Sequence, residues 1–96
     1  MSVIVRVPTI LRTYTGGARD VRVAVEGAGA QTVAGVLSAL ESGHPGILAR
    51  VVDEEGRLRR FVNLYVDDED VRGCGGLAAP VPPGSELVIV PAVAGG

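Results

Sequence analysis

The sequence predicts an α+β domain, with one main helix packed on one face of a mixed sheet of four to five strands. Three observations carry this prediction. Short alternating apolar runs stand near both ends of the chain, and one stretch of helical periodicity lies between them. The chain linking the first and last runs, with its helix, is long enough to let them pair in parallel at the sheet centre. A length of 96 residues suits a single domain with one core.

The elements follow in order. Val3-Ile4-Val5-Arg6-Val7 places Val3, Val5 and Val7 on one face and closes at Pro8, as a strand with one buried side does. Thr15-Gly16-Gly17 reads as a turn, and Val21-Arg22-Val23-Ala24-Val25 alternates again, so the two runs predict an antiparallel hairpin. Gly27-Ala28-Gly29-Ala30 reads as a flexible loop. Thr32 is a helix cap, and Val33, Val36, Leu37 and Leu40 then form an apolar stripe at i, i+3, i+4 and i+7, with Gly35 off it. Ser42-Gly43 ends this helix, and His44-Pro45-Gly46 restarts a short one through Arg50.

Asp53-Glu54-Glu55-Gly56 is a turn, followed by a strand over Arg59–Val66 with apolar residues on both faces, so its inward side is open. A second turn is expected at Asp67-Asp68-Glu69-Asp70, and a loop with a short helical turn at Gly73–Leu77. Pro80–Gly84 is a stiff turn feeding the last strand, Glu86–Val90, which Pro91 ends because it cannot donate to a ladder.

Composition narrows the function. The chain is 47% apolar but only 3% aromatic, so its core is built of Val, Leu, Ile and Ala. Net charge is −2 with no basic stripe, which argues against nucleic acid. No apolar run is long enough to cross a bilayer and no signal-like segment opens the sequence, so a cytoplasmic protein without membrane partners is expected. One cysteine, Cys74, allows no internal disulfide. All nine basic side chains are arginine, which offers few amines to an activated carboxylate and is also what a GC-rich genome produces.

Residues 1–91 thus make the domain, and 92–96 a tail. Ala92, Val93, Ala94, Gly95 and Gly96 carry no side chain able to anchor them, and such a thread reaches at most ~17 Å at ~3.4 Å per residue. A narrow enzyme channel admits a thread of this kind, and Gly96 brings a carboxylate that no side chain shields.

Four other features are weighed against plainer readings. Asp67–Asp70 reads as a solvated turn rather than a cation site, because consecutive acids do not converge on one ion without a shaped loop. Cys74 is either an acceptor of an activated glycine or a passive loop thiol, and no nearby His or Lys in sequence would lower its pKa. His44 has no partner at catalytic spacing. An outward Phe61 or Leu64 near the tail would suit a partner-docking surface, and a half-buried strand explains both equally well. No catalytic or metal-binding residue is expected.

Several stretches together resemble the ubiquitin-like β-grasp fold and, within it, the sulfur carriers of the ThiS/MoaD family, most closely the branch serving actinobacterial cysteine synthesis. They are Val7-Pro8-Thr9-Ile10-Leu11-Arg12, Arg60-Phe61-Val62-Asn63-Leu64-Tyr65-Val66, Asp68-Glu69-Asp70-Val71-Arg72, Gly75-Gly76-Leu77-Ala78 and the closing Val90–Gly96. The resemblance implies a carrier rather than an enzyme. An E1-like activating enzyme of the MoeB/ThiF type would use ATP to adenylate Gly96, and a sulfurtransferase would leave a thiocarboxylate there. The carrier itself would bind no cofactor. Implied further partners are a cysteine synthase-like or other sulfur-accepting enzyme and a metalloprotease. Thiamin, molybdopterin and thio-containing secondary metabolites are other destinations. A protein modifier joined to lysines through Gly96, or a plain β-grasp binding module, are the alternative classes.

Overall fold

The structure is a computed structural model that describes residues 2–24 and 31–91. The expectations for Val25, for the loop Gly27–Ala30 and for the tail Ala92–Gly96 lie outside the described residues.

The described elements are β1 (Ser2–Arg6), a 3-10 helix (Thr9–Thr15), β2 (Asp20–Ala24), β3 (Gln31–Thr32), α1 (Val33–Gly43), α2 (Leu48–Val51), β4 (Val62–Val66), β5 (Glu69–Asp70), two further short 3-10 turns (Val71–Gly73 and Gly76–Ala78), β6 (Pro80–Val81) and β7 (Glu86–Pro91). Five strands form one mixed sheet in the order β2-β1-β7-β4-β5, and β3 and β6 pair apart from it. β1 and β7 run parallel at its middle, with Ile4 opposite Glu86 and Arg6 opposite Val88. β1–β2 and β4–β7 are antiparallel. This is the β-grasp arrangement that the sequence predicts.

The core follows from two periodicities. Val3, Val5 and Val7 point inward from β1, Leu87 and Ile89 from β7, and Val62 and Leu64 from β4. Val33, Val36, Leu37 and Leu40 of α1 meet them, all but sealed from solvent. Thr32 caps α1 as expected, its hydroxyl accepting the Gly35 N–H at 3.1 Å.

Beyond α1, Glu41 organises the connection to α2. Its carboxylate accepts the Gly46 N–H at 2.9 and 3.1 Å and the Leu48 N–H at 2.9 Å. These bonds to the charged form, that to Gly46 foremost, hold its pKa below the ordinary glutamate value. Gly46 is required here. Its φ is +101°, and a Cβ would come within 2.9 Å of the Tyr14 ring. Consequently α2 begins only at Leu48, later than His44-Pro45-Gly46 suggests.

Three local expectations are corrected. Arg59-Arg60-Phe61 is a turn before β4 rather than part of the strand, closed by the Val62 N–H on the Arg59 carbonyl at 3.1 Å. Only Asp67 and Asp68 form the next turn; Glu69 and Asp70 are strand β5, paired with Val66 and Tyr65. Pro80 and Val81, expected in a turn, pair as β6 with Thr32 and Gln31.

Candidate functional site

Residues 92–96 follow the central strand in sequence, and the pole where that strand ends is the tail pole. β7 ends at Pro91, opposite Val62 on β4. Because β1 runs parallel to β7, the end of β1 and the start of the 3-10 helix lie at this same pole. The start of β7 and the Asp67–Asp68 turn mark the opposite pole, since Val66 pairs with Leu87.

Phe61 stands one residue before the Val62–Pro91 pair and is 53% exposed. Its companion in the sequence reading is corrected: Leu64 is fully buried in the core and belongs to no surface. The ladder with β7 fixes the inward parity of β4 that the residue pattern leaves open, with Val62 and Leu64 inward and Asn63 and Tyr65 outward. Two exposed apolar residues at the tail pole escape the sequence reading. Val90 is 39% exposed opposite Asn63, and Ile10 is 69% exposed in the 3-10 helix. The outward parity of Val90 follows from the alternation Leu87-Val88-Ile89-Val90, whereas nothing local marks Ile10 as exposed.

Arginines gather beside Phe61. The Arg60 guanidinium lies 5.7 Å from its ring centroid. Arg72 donates to the Asn63 side-chain oxygen at 2.6 Å and to the Arg59 carbonyl at 3.0 Å. Arg59 donates to the Ala49 carbonyl at 2.9 Å. All three are exposed, and among the described residues none forms an ion pair. The donors of Arg59 and Arg72 go to neutral oxygens, but Arg59 also stands beside Asp53, Glu54 and Glu55, so the charge open to a partner is that of Arg60 and Arg72.

The remaining sequence candidates sit elsewhere. Cys74 lines a cavity of about 250 Å³ with Val66, Pro80 and Pro82, toward the far pole. Its thiol donates to a Glu69 carboxylate oxygen at 3.4 Å, and this bond, with burial and the neighbouring acids, raises its pKa. That is the reverse of an activated nucleophile. The four acids diverge: Asp67 accepts from the Glu86 N–H, Glu69 faces Cys74, and Asp70 caps the Arg72 N–H. Among the described residues no three His, Cys, Asp or Glu side chains gather as metal ligands. His44 only closes α1, donating its N–H to the Leu40 carbonyl at 2.9 Å. No helix among the described residues is long and apolar enough to cross a membrane.

A mixed five-stranded sheet with β1 and β7 parallel at its centre and one main helix on its face defines a small ubiquitin-like β-grasp protein. The chain belongs to the ThiS family, which it matches over residues 5–96. It is 48% identical to the sulfur carrier protein CysO of Mycobacterium tuberculosis over 98 residues, covering 100% of both chains. A chain of the Amycolatopsis orientalis BexX/CysO complex superposes with a TM-score of 0.83 at 55% identity, over 98% of this chain and 99% of that one. SAMP1 of Haloferax volcanii superposes with a TM-score of 0.80 at 31% identity, over 100% of both. CysO is by name a sulfur carrier protein, a carrier rather than a catalyst, as the sequence reading expects.

Proposed function

We propose that this protein is a sulfur carrier whose reactive group is the carboxylate of Gly96. The observation that carries this reading is full-length similarity to a sulfur carrier, together with a Gly-Gly end following the central strand. A carboxylate is a poor electrophile. An E1-like enzyme of the MoeB/ThiF type, with ATP, converts it to an acyl-adenylate and releases pyrophosphate. A sulfurtransferase-bound persulfide then attacks the carbonyl, AMP leaves, and reduction of the resulting S–S bond by a thiol frees the thiocarboxylate. The residues Ala92, Val93, Ala94 and Gly95 deliver this end into the partner sites, and Phe61 is the apolar contact beside their point of departure.

The similarity to CysO favours cysteine as the destination. A cysteine synthase-like partner would attach the thiocarboxylate sulfur to the three-carbon unit of O-phosphoserine, with loss of phosphate. An S-to-N acyl shift then leaves cysteine amide-bound to Gly96, and a metalloprotease would release it. One observation favours a second reading. SAMP1, a small archaeal modifier protein by name, shares the fold over its whole length. A modifier would join Gly96 to lysine amines of other proteins.

Intact-mass analysis of protein recovered from its own host separates these readings. The carrier predicts a species in which sulfur replaces one terminal oxygen, and a cysteine adduct once the host's synthase and O-phosphoserine are added. Higher-mass conjugates would favour the modifier. An unchanged mass with the activating enzyme present would reduce the chain to a binding module.

A further inference from the structure

The tail pole combines two properties that seldom coincide: it is cationic, and its side chains carry no amine. Arg60 lies over the Phe61 ring and Arg72 holds Asn63 two residues on, neither of them ion-paired among the described residues. Asp67, Asp68, Glu69 and Asp70 cluster at the other pole. Asp20, the carboxylate nearest the end of β1, is engaged by Arg6 and Arg19. Asp53, Glu54 and Glu55 share a pocket with Arg59, so among the described residues the cations beside Phe61 outside any ion pair or acid-lined pocket are Arg60 and Arg72.

On the carrier reading an activated Gly96 would be an acylating agent five residues beyond Pro91 in sequence, and so at most ~17 Å from it. The sequence contains no lysine anywhere. Guanidinium stays protonated at any physiological pH and has no free pair to attack a carbonyl. The Cys74 thiol lies toward the opposite pole, beside a carboxylate that raises its pKa.

We propose that Arg60 and Arg72 form an amine-free cationic collar that docks against a carboxylate-lined entrance on the enzyme activating Gly96, arginine being the cation that supplies charge without accepting the acyl group. The proposal rests on the carrier reading for its occupant, and charge complementarity selects the entrance. A lysine in the collar would undergo the reaction arginine avoids. Its neutral Nζ would attack the Gly96 carbonyl, the bond from that carbonyl to the leaving group would break, AMP or thiolate would depart, and the new amide nitrogen would lose a proton to water. The carrier would then be cyclised and spent.

Two measurements test the halves separately. In the first, a Gly96 thioester of the intact chain is prepared chemically and followed by intact mass at mildly alkaline pH, with no enzyme. The unaltered chain should yield only its free acid, whereas Arg60→Lys should yield a species lighter than the acid by one water. The same lighter species or a covalent dimer from the unaltered chain would overturn the proposal, and so would failure of Arg60→Lys to cyclise. In the second, KM for the carrier in ATP–pyrophosphate exchange with the host's activating enzyme is measured against ionic strength. Arg60→Gln, which removes charge but no backbone contact, should raise KM about fivefold at low salt and flatten its salt dependence. An unchanged KM and an unchanged salt slope would overturn the docking role. Absence of exchange with the unaltered chain would instead sink the carrier reading, leaving the chemical result standing.

Discussion

Asp67 and Glu86 hold each other by two hydrogen bonds. The Asp67 N–H donates to the Glu86 carbonyl at 3.1 Å, and the Glu86 N–H donates to the Asp67 carboxylate at 3.0 Å. The pair closes the β4–β7 ladder where the chain turns into β5. Asp67 does this from the left-handed region at φ +46°, with Asp68 following at φ +76°. Asp67→Ala should therefore lose about 1–2 kcal/mol in urea melts, because the new residue lacks the acceptor and tolerates this φ poorly. Asp67→Asn should lose less, since its amide oxygen still accepts.

Phe61 and Leu64 should separate cleanly into surface and core. Leu64→Ala empties a fully buried site and should cost about 2–5 kcal/mol. Phe61→Ala should leave the melt within about 0.5 kcal/mol while raising KM in pyrophosphate exchange. A large loss of stability from Phe61→Ala would assign its ring to packing instead of docking.

Glu41 gives the fold an acid-sensitive joint. Its folded pKa lies below the ordinary value because the carboxylate, once ionised, accepts the Gly46 and Leu48 N–H bonds. Such a group contributes stability that is full above the unfolded-state pKa and is lost as pH falls through the folded one. Glu41→Gln should lower stability at neutral pH and remove part of its decline under acid. Urea midpoints of both proteins from neutral to acidic pH should converge toward the acidic end.

Deletion of Gly95 and Gly96 should abolish exchange and leave the melt within about 0.5 kcal/mol, because the β4–β7 ladder is complete at Pro91. Leu37→Ala, on the buried stripe of α1, should instead cost about 2–5 kcal/mol. Unfolding on truncation would make the tail structural. Exchange by the truncated chain would move the reactive group away from Gly96.

Legibility in the sequence tracks repetition. Val3, Val5 and Val7 and the α1 stripe repeat burial at a fixed period, so faces and partners could be read from them. The Arg59–Phe61 turn was hidden because its residue types suit a strand as well. What turns it is non-local, the Arg72 guanidinium on the Arg59 carbonyl. Strands of two residues have no period, so β5 and the β3–β6 pair could not be seen. At the candidate site the pattern offered Phe61 and Leu64 alike, and only the β4–β7 ladder decides between them. The charge on the tail pole was equally invisible, since Arg72 reaches Asn63 across β5 and its following turn.

The parallel pairing of β1 with β7 also sets an order of events during synthesis. β7 is the last of the described strands to leave the ribosome, and it is the one to which both β1 and β4 are joined. Until it arrives, the β1–β2 hairpin and α1 have no central ladder to close on, and the contacts still missing are the most distant in sequence. A nascent chain interrupted before Glu86 is left with an open sheet, exposed to proteases. Folding thus acts as proofreading: a molecule that survives is one on which translation had passed through the strand that both β1 and β4 join.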